Sequence, residues 1–149
     1  MSSLKTRLSD DVKQALRAGD KPRLSTLRML LAAIKQREVD ERIELDDPAI
    51  LSVLEKMVKQ RKESIRQFEA GDRPDLAKIE AAEITVLQSY LPEPLDEAAL
   101  SQLVADVIAG TGAGGMQDMG RVMAEIKKRA AGRADMGDVS TLVKKALGS

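Results

Sequence analysis

Leu91-Pro92-Glu93-Pro94 divides this chain. Neither proline can continue a helix, and each restrains the residue before it to extended geometry. Outward from that break, in both directions, apolar residues recur at helical spacing. Toward the N-terminus, Leu76, Ile79, Val86, Leu87 and Tyr90 predict one helix. Gly71-Asp72-Arg73-Pro74 separates it from a longer helix with the apolar line Ile50, Leu51, Leu54, Met57, Val58, Ile65 and Phe68. Asp46 or Asp47 before Pro48 starts that helix. Leu24, Leu27, Leu31 and Ile34 predict another, capped by Asp20 with Pro22 in its first turn and running to about Glu41. Leu4, Leu8, Val12 and Ala15/Leu16 mark the first helix, interrupted at Gly19-Asp20.

Beyond the break, Asp96 is the expected N-cap, with Glu97 favourable to the helix dipole. Leu100, Leu103, Val104, Val107 and Ile108 follow at helical steps. A glycine-rich loop is expected over 110–115, then a helix over about 116–131 carrying Met119, Val122, Met123 and Ile126. Gly132 ends it. Asp135 caps a last helix with Val139, Leu142, Val143 and Leu147 on one face. No segment alternates as a strand does. The expected fold is all-α, with a four-helix N-terminal subdomain over 1–92 and a three-helix C-terminal subdomain over 93–149.

Composition narrows the chemistry. The 149 residues are 43% hydrophobic and 32% charged, enough for both a core and a polar surface. Phe68 and Tyr90 are the only aromatics, so the core must be aliphatic, which favours helices over strands. There is no histidine and no cysteine. That removes the imidazole base, the thiolate nucleophile and the commonest soft metal ligands, so no metal or cofactor is expected. The N-terminus has no apolar h-region and no run is long enough to span a bilayer, so a cytoplasmic location without membrane association is expected.

The zero net charge hides a division. Residues 1–70 carry 15 Lys and Arg against 12 Asp and Glu, residues 71–118 carry 2 against 9, and residues 119–149 carry 7 against 3. Two groups of cations stand out. Lys56, Lys59, Lys62 and Arg66 form a stripe on the third helix. Arg121, Lys127, Lys128, Arg129 and Arg133 form the densest cluster. Either group can meet phosphates, although charge alone favours reading them as solvated helix faces. With no interleaved aromatics, RNA would be read through backbone and shape. Gly110-Thr111-Gly112-Ala113-Gly114-Gly115 matches a dinucleotide fingerprint in letters only, since a helix and not a strand leads into it. Asp46-Asp47 reads as a cap, and no Ser–Lys pair is marked out as a nucleophile.

Three stretches carry a resemblance: Asp20 to Leu30 (DKPRLSTLRML) with Ala32-Ala33-Ile34-Lys35, then Ser89-Tyr90-Leu91-Pro92, then Met119-Gly120-Arg121-Val122-Met123 with Gly132-Arg133-Ala134-Asp135. Together they resemble the YqeY-like proteins of the GatB/YqeY family over essentially the whole chain. The resemblance implies two helical subdomains shared with the tail of the B subunit of the glutamine-dependent aspartyl/glutamyl-tRNA amidotransferase, where the tail contacts tRNA and the catalytic parts lie elsewhere. Gly120, Arg121, Gly132, Arg133 and Asp135 match the motif; Asp138 departs from it, standing where a positive charge is expected.

The expectation is therefore a non-catalytic tRNA-binding accessory module with no DNA binding. Arg121 and Arg133 are the leading anion contacts, with Lys127, Lys128, Lys59, Lys62 and Arg66 beside them. The first alternative is an adaptor that docks a protein partner through Met116, Met119 and Met123. The second is a component of a carbon–nitrogen ligase with glutamine as amido donor, by family label only.

Overall fold

A computed structural model of the chain describes residues 3–148, so the outermost bounds of the expected subdomains, residues 1 and 149, lie outside the described residues. Seven α-helices are present among them and no strand: α1 (Ser3–Ala18), α2 (Lys21–Glu41), α3 (Asp47–Ala70), α4 (Pro74–Gln88), α5 (Glu97–Thr111), α6 (Met119–Arg129) and α7 (Met136–Leu147). A one-turn 3-10 helix, Met116–Asp118, leads into α6.

Aspartate side chains set most of the starts. Asp20 accepts the Arg23 N–H at 3.3 Å, Asp46 the Ala49 N–H at 3.0 Å and Asp96 the Ala99 N–H at 2.7 Å. Asp135 accepts from Gly137 and Asp138. Each bond satisfies an N–H that has no partner inside its own helix. Left-handed residues mark several ends: Gly19 (φ 68°), Gly112 (φ 68°), Gly132 (φ 77°) and, without a glycine's freedom, Arg42 (φ 56°) and Asp72 (φ 57°). α5 runs through Gly110, so the glycine loop is shorter than expected. The helix predicted from Met116 begins instead at Met119, because Met116–Asp118 winds as the tighter 3-10 turn.

The chain forms two compact units, Met1–Pro92 and Glu93–Ser149. In unit 1, α3 packs most extensively on α4, α1 on α2, and α2 on α4. Its core is aliphatic, with Leu8, Leu27, Leu30, Leu45, Ile50, Leu54 and Leu87 fully buried. Each such side chain is favoured inside by about 1.5–3 kcal/mol over an exposed position. In unit 2, α5, α6 and α7 contribute Val107, Val122, Ile126, Val139 and Val143, all fully buried. Of the expected pair Ala15/Leu16 it is Ala15 that is buried, with Leu16 exposed at 59%, and one expected core position is corrected: Ile79 is exposed at 57%. Both lie on helices of the right period, but the buried residues near them are Ala15 and Ala77.

Candidate functional site

On α6, burial of Val122 and Ile126 turns the rest of the helix outward. Lys127 and Lys128 are exposed in its last turn, where cations complement the helix dipole. No acidic partner engages either among the described residues. Arg129 pairs with Glu125 at 3.0 Å, one turn back. Arg121 is 57% exposed and pairs with Asp118 at 3.1 Å. The second Asp118 oxygen accepts the Gly114 N–H at 2.9 Å, so this carboxylate closes the glycine loop on itself.

Arg133 occupies a different situation. Its Nε–H donates to the Glu93 carbonyl at 2.8 Å, and its own carbonyl accepts the Leu95 N–H at 2.8 Å. The side chain thus ties down the segment that opens unit 2, with part of its guanidinium committed. On α3, in unit 1, Lys56, Lys59, Lys62 and Arg66 are all exposed. Arg66 pairs with Glu63, three residues back. Lys59 and Lys62 have no ion pair among the described residues. The Met116, Met119 and Met123 face divides: Met116 is 47% exposed, while Met119 and Met123 pack on the unit 2 core.

Unit 1 holds polar groups that periodicity did not single out. Arg61, its side chain only 13% exposed, bonds Glu83 at 2.7 Å from Nε, lies 3.9 Å from Glu80, and donates to the Met57 carbonyl from Nη1. This is the charged link between α3 and α4. Tyr90 is buried just past α4; its hydroxyl donates to Asp11 at 2.6 Å and lies 3.4 Å from Arg23 Nη2. Arg7 stacks over the ring at 4.5 Å and reaches the Ser89 carbonyl. Burial first, then the bond to Asp11, pushes the Tyr90 hydroxyl up to about 12. Lys5 bonds Glu38, whose carboxylate also accepts the Leu45 N–H at 2.8 Å; the lysine contact, then the backbone bond, hold it below its ordinary range. These clusters satisfy one another's hydrogen bonds and charges at partly buried positions, so they read as fastenings. Among the described residues no group of acidic side chains is placed to hold a metal ion, and no helix is long and apolar enough to cross a membrane.

Comparison with known proteins adds kinship. A family model described as "Yqey-like protein" matches residues 5–147. The chain is 33% identical over 148 residues to "Altered inheritance of mitochondria protein 41, mitochondrial" of Pyrenophora tritici-repentis, covering 96% of this chain and 80% of that protein. It is 39% identical over 84 residues to the protein of that name in Kluyveromyces lactis, covering 56% and 45%. In Clavispora lusitaniae the figures are 37% over 106 residues, covering 69% and 59%. The match thus spans about half the length of the latter two relatives. The expected cytoplasmic location is contradicted by these relatives, which are named as mitochondrial proteins. The lack of an h-region speaks only to secretion, whereas mitochondrial entry uses amphipathic, arginine-rich segments.

Proposed function

Because this chain belongs to the YqeY-like family, we propose that it is a non-catalytic, all-helical accessory module that contacts tRNA through the basic end of α6. The finer architecture goes with this reading: a four-helix subdomain over residues 1–92 and a three-helix, tail-like subdomain over 93–149 that carries the contact. The observation behind it is the pair Lys127 and Lys128, exposed at the end of α6 and free of acidic partners among the described residues. Lys59 and Lys62 form a second, similarly unneutralised pair on α3, with Arg66 beside them. Arg121 joins them at small cost, since an exposed pair such as Arg121–Asp118 is worth about 0–1 kcal/mol and a phosphate readily competes for it. Arg133 contributes only the guanidinium N–H groups its backbone bond leaves over. Without aromatic platforms at these positions, recognition is of the sugar–phosphate backbone.

The test is anisotropy of labelled bulk tRNA titrated with the whole chain over a range of salt, with duplex DNA as competitor. Binding should weaken steeply with salt. Lys127→Ala with Lys128→Ala should weaken it for all tRNA species alike and reduce the logarithmic salt slope by about 2, one for each phosphate contact. No binding at low salt would overturn the proposal.

A further inference from the structure

Two adjoining depressions open on unit 1 and share Ser25. The larger, about 580 Å³, lies between the start of α2 and α4, with Ile79, Ala82 and Val86 on its α4 side. The smaller, about 450 Å³, continues along α2 over Leu24, Met29 and Ala32. Ile79 and Met29 are 57% and 37% exposed, so an apolar strip is left facing solvent. Contiguous exposed apolar surface of this kind, rimmed by charge, marks interaction sites.

The rim decides the occupant. Its acids are already engaged: Asp20 caps α2, Asp75 pairs with Arg73 at 3.1 Å, and Glu83 pairs with Arg61. Arg23 is held at the Asp11–Tyr90 cluster. Lys21 and Arg28 on α2 and Lys78 on α4 are exposed, and no hydrogen bond or ion pair engages their side chains among the described residues. The groove therefore offers an apolar floor with uncompensated positive charge on both walls. A nucleic acid satisfies the cations but leaves the floor without stacking or apolar cover. A helix with an apolar stripe flanked by carboxylates satisfies both. The acidic α5 of a second copy cannot supply that helix, because it spends Leu100, Val104 and Val107 on its own core.

We infer that the α2–α4 groove of unit 1 docks an acidic amphipathic helix of a partner protein, independently of any tRNA contact. The probe is a synthetic helical peptide with leucines at helical spacing flanked by glutamates, and its match with lysines in place of glutamates. Each is titrated into the isotope-labelled whole chain, following backbone amide shifts and peptide anisotropy. The glutamate peptide should saturate, shift the amides of Ala82 and Val86, and bind better than the lysine peptide. Ile79→Glu should weaken it about tenfold or more, the scale of losing one anchor side chain. Arg28→Glu with Lys78→Glu should reverse the preference between the peptides. All three positions are exposed, and circular dichroism checks that the variants keep their helices. Failure of the glutamate peptide to saturate, equal binding of both peptides, shifts elsewhere, or displacement by tRNA from these amides would overturn the inference. So would a concentration-dependent mass that Ile79→Glu abolishes, since a second copy would then fill the groove.

Discussion

Unit 1 and unit 2 are built around similar aliphatic cores but fasten their helices differently. Unit 1 links elements far apart in sequence with charge: Lys5 to Glu38 between α1 and α2, Tyr90 to Asp11, and Arg61 to Glu83 between α3 and α4. In unit 2, Arg121–Asp118 and Arg129–Glu125 are local pairs, three and four residues apart. Its helices are arranged by side-chain packing, and the charge not spent on fastening is left outward as Lys127 and Lys128. Half-buried pairs add little over apolar packing, yet removing one partner leaves the other's charge only partly solvated. The two units should therefore fail in different ways.

The largest effect is expected from unit 2, whose three helices are held to one another chiefly by packing. Ile126→Ala should cost about 2–5 kcal/mol and unfold unit 2 at a lower temperature while unit 1 keeps its helices. A thermal melt by circular dichroism should then show two steps. One cooperative step would mean the units share their stability, breaking the comparison.

Next comes the long-range fastening. Arg61→Met should cost about 1–3 kcal/mol by leaving Glu83 without its charged partner, and Glu83→Gln in the same chain should recover part of it. Denaturant titration of the four members of the double-mutant cycle measures the coupling. A coupling near zero would make this contact as dispensable as a surface pair.

Tyr90→Phe should cost about 1 kcal/mol. The raised hydroxyl also fixes a sign. Its contribution is fully present below pH 10, the ordinary tyrosine value, and is lost as pH rises through about 12. Denaturant melts across that window should show a smaller alkaline loss in Tyr90→Phe than in the parent chain. The smallest effect is expected in unit 2: Arg121→Ala should change stability by less than about 1 kcal/mol. A larger loss would show that local pairs fasten unit 2 as well.

Much of this architecture was legible from short-range chemistry. The caps at Asp20, Asp46, Asp96 and Asp135 announce themselves, because an aspartate before an apolar run satisfies N–H groups only three residues away. Gly19, Gly112 and Gly132 likewise mark helix ends through their own backbone freedom. What needs two distant segments stays hidden. Arg61 looks like any cation of the basic α3 helix until α4 brings Glu83 to it. The tie from Arg133 to the Glu93 carbonyl likewise shows only once the chain returns that carbonyl to the side chain. Period also finds a helix without saying which flank its neighbour covers, which is why Leu16 and Ile79 face outward. The groove on α2 and α4 was missed for the same reason: an uncovered apolar face and a buried one share the same spacing.

Tyr90 has one more consequence, for anyone who watches this molecule with light. It is the sole tyrosine in a chain without tryptophan, and it belongs to unit 1. Near-ultraviolet absorbance and intrinsic fluorescence therefore come almost wholly from unit 1, sensed through one ring beside a carboxylate and a guanidinium. Unit 2 is optically dark. Its unfolding, or its capture of a ligand, would pass unseen by the commonest optical assays unless a chromophore were placed there.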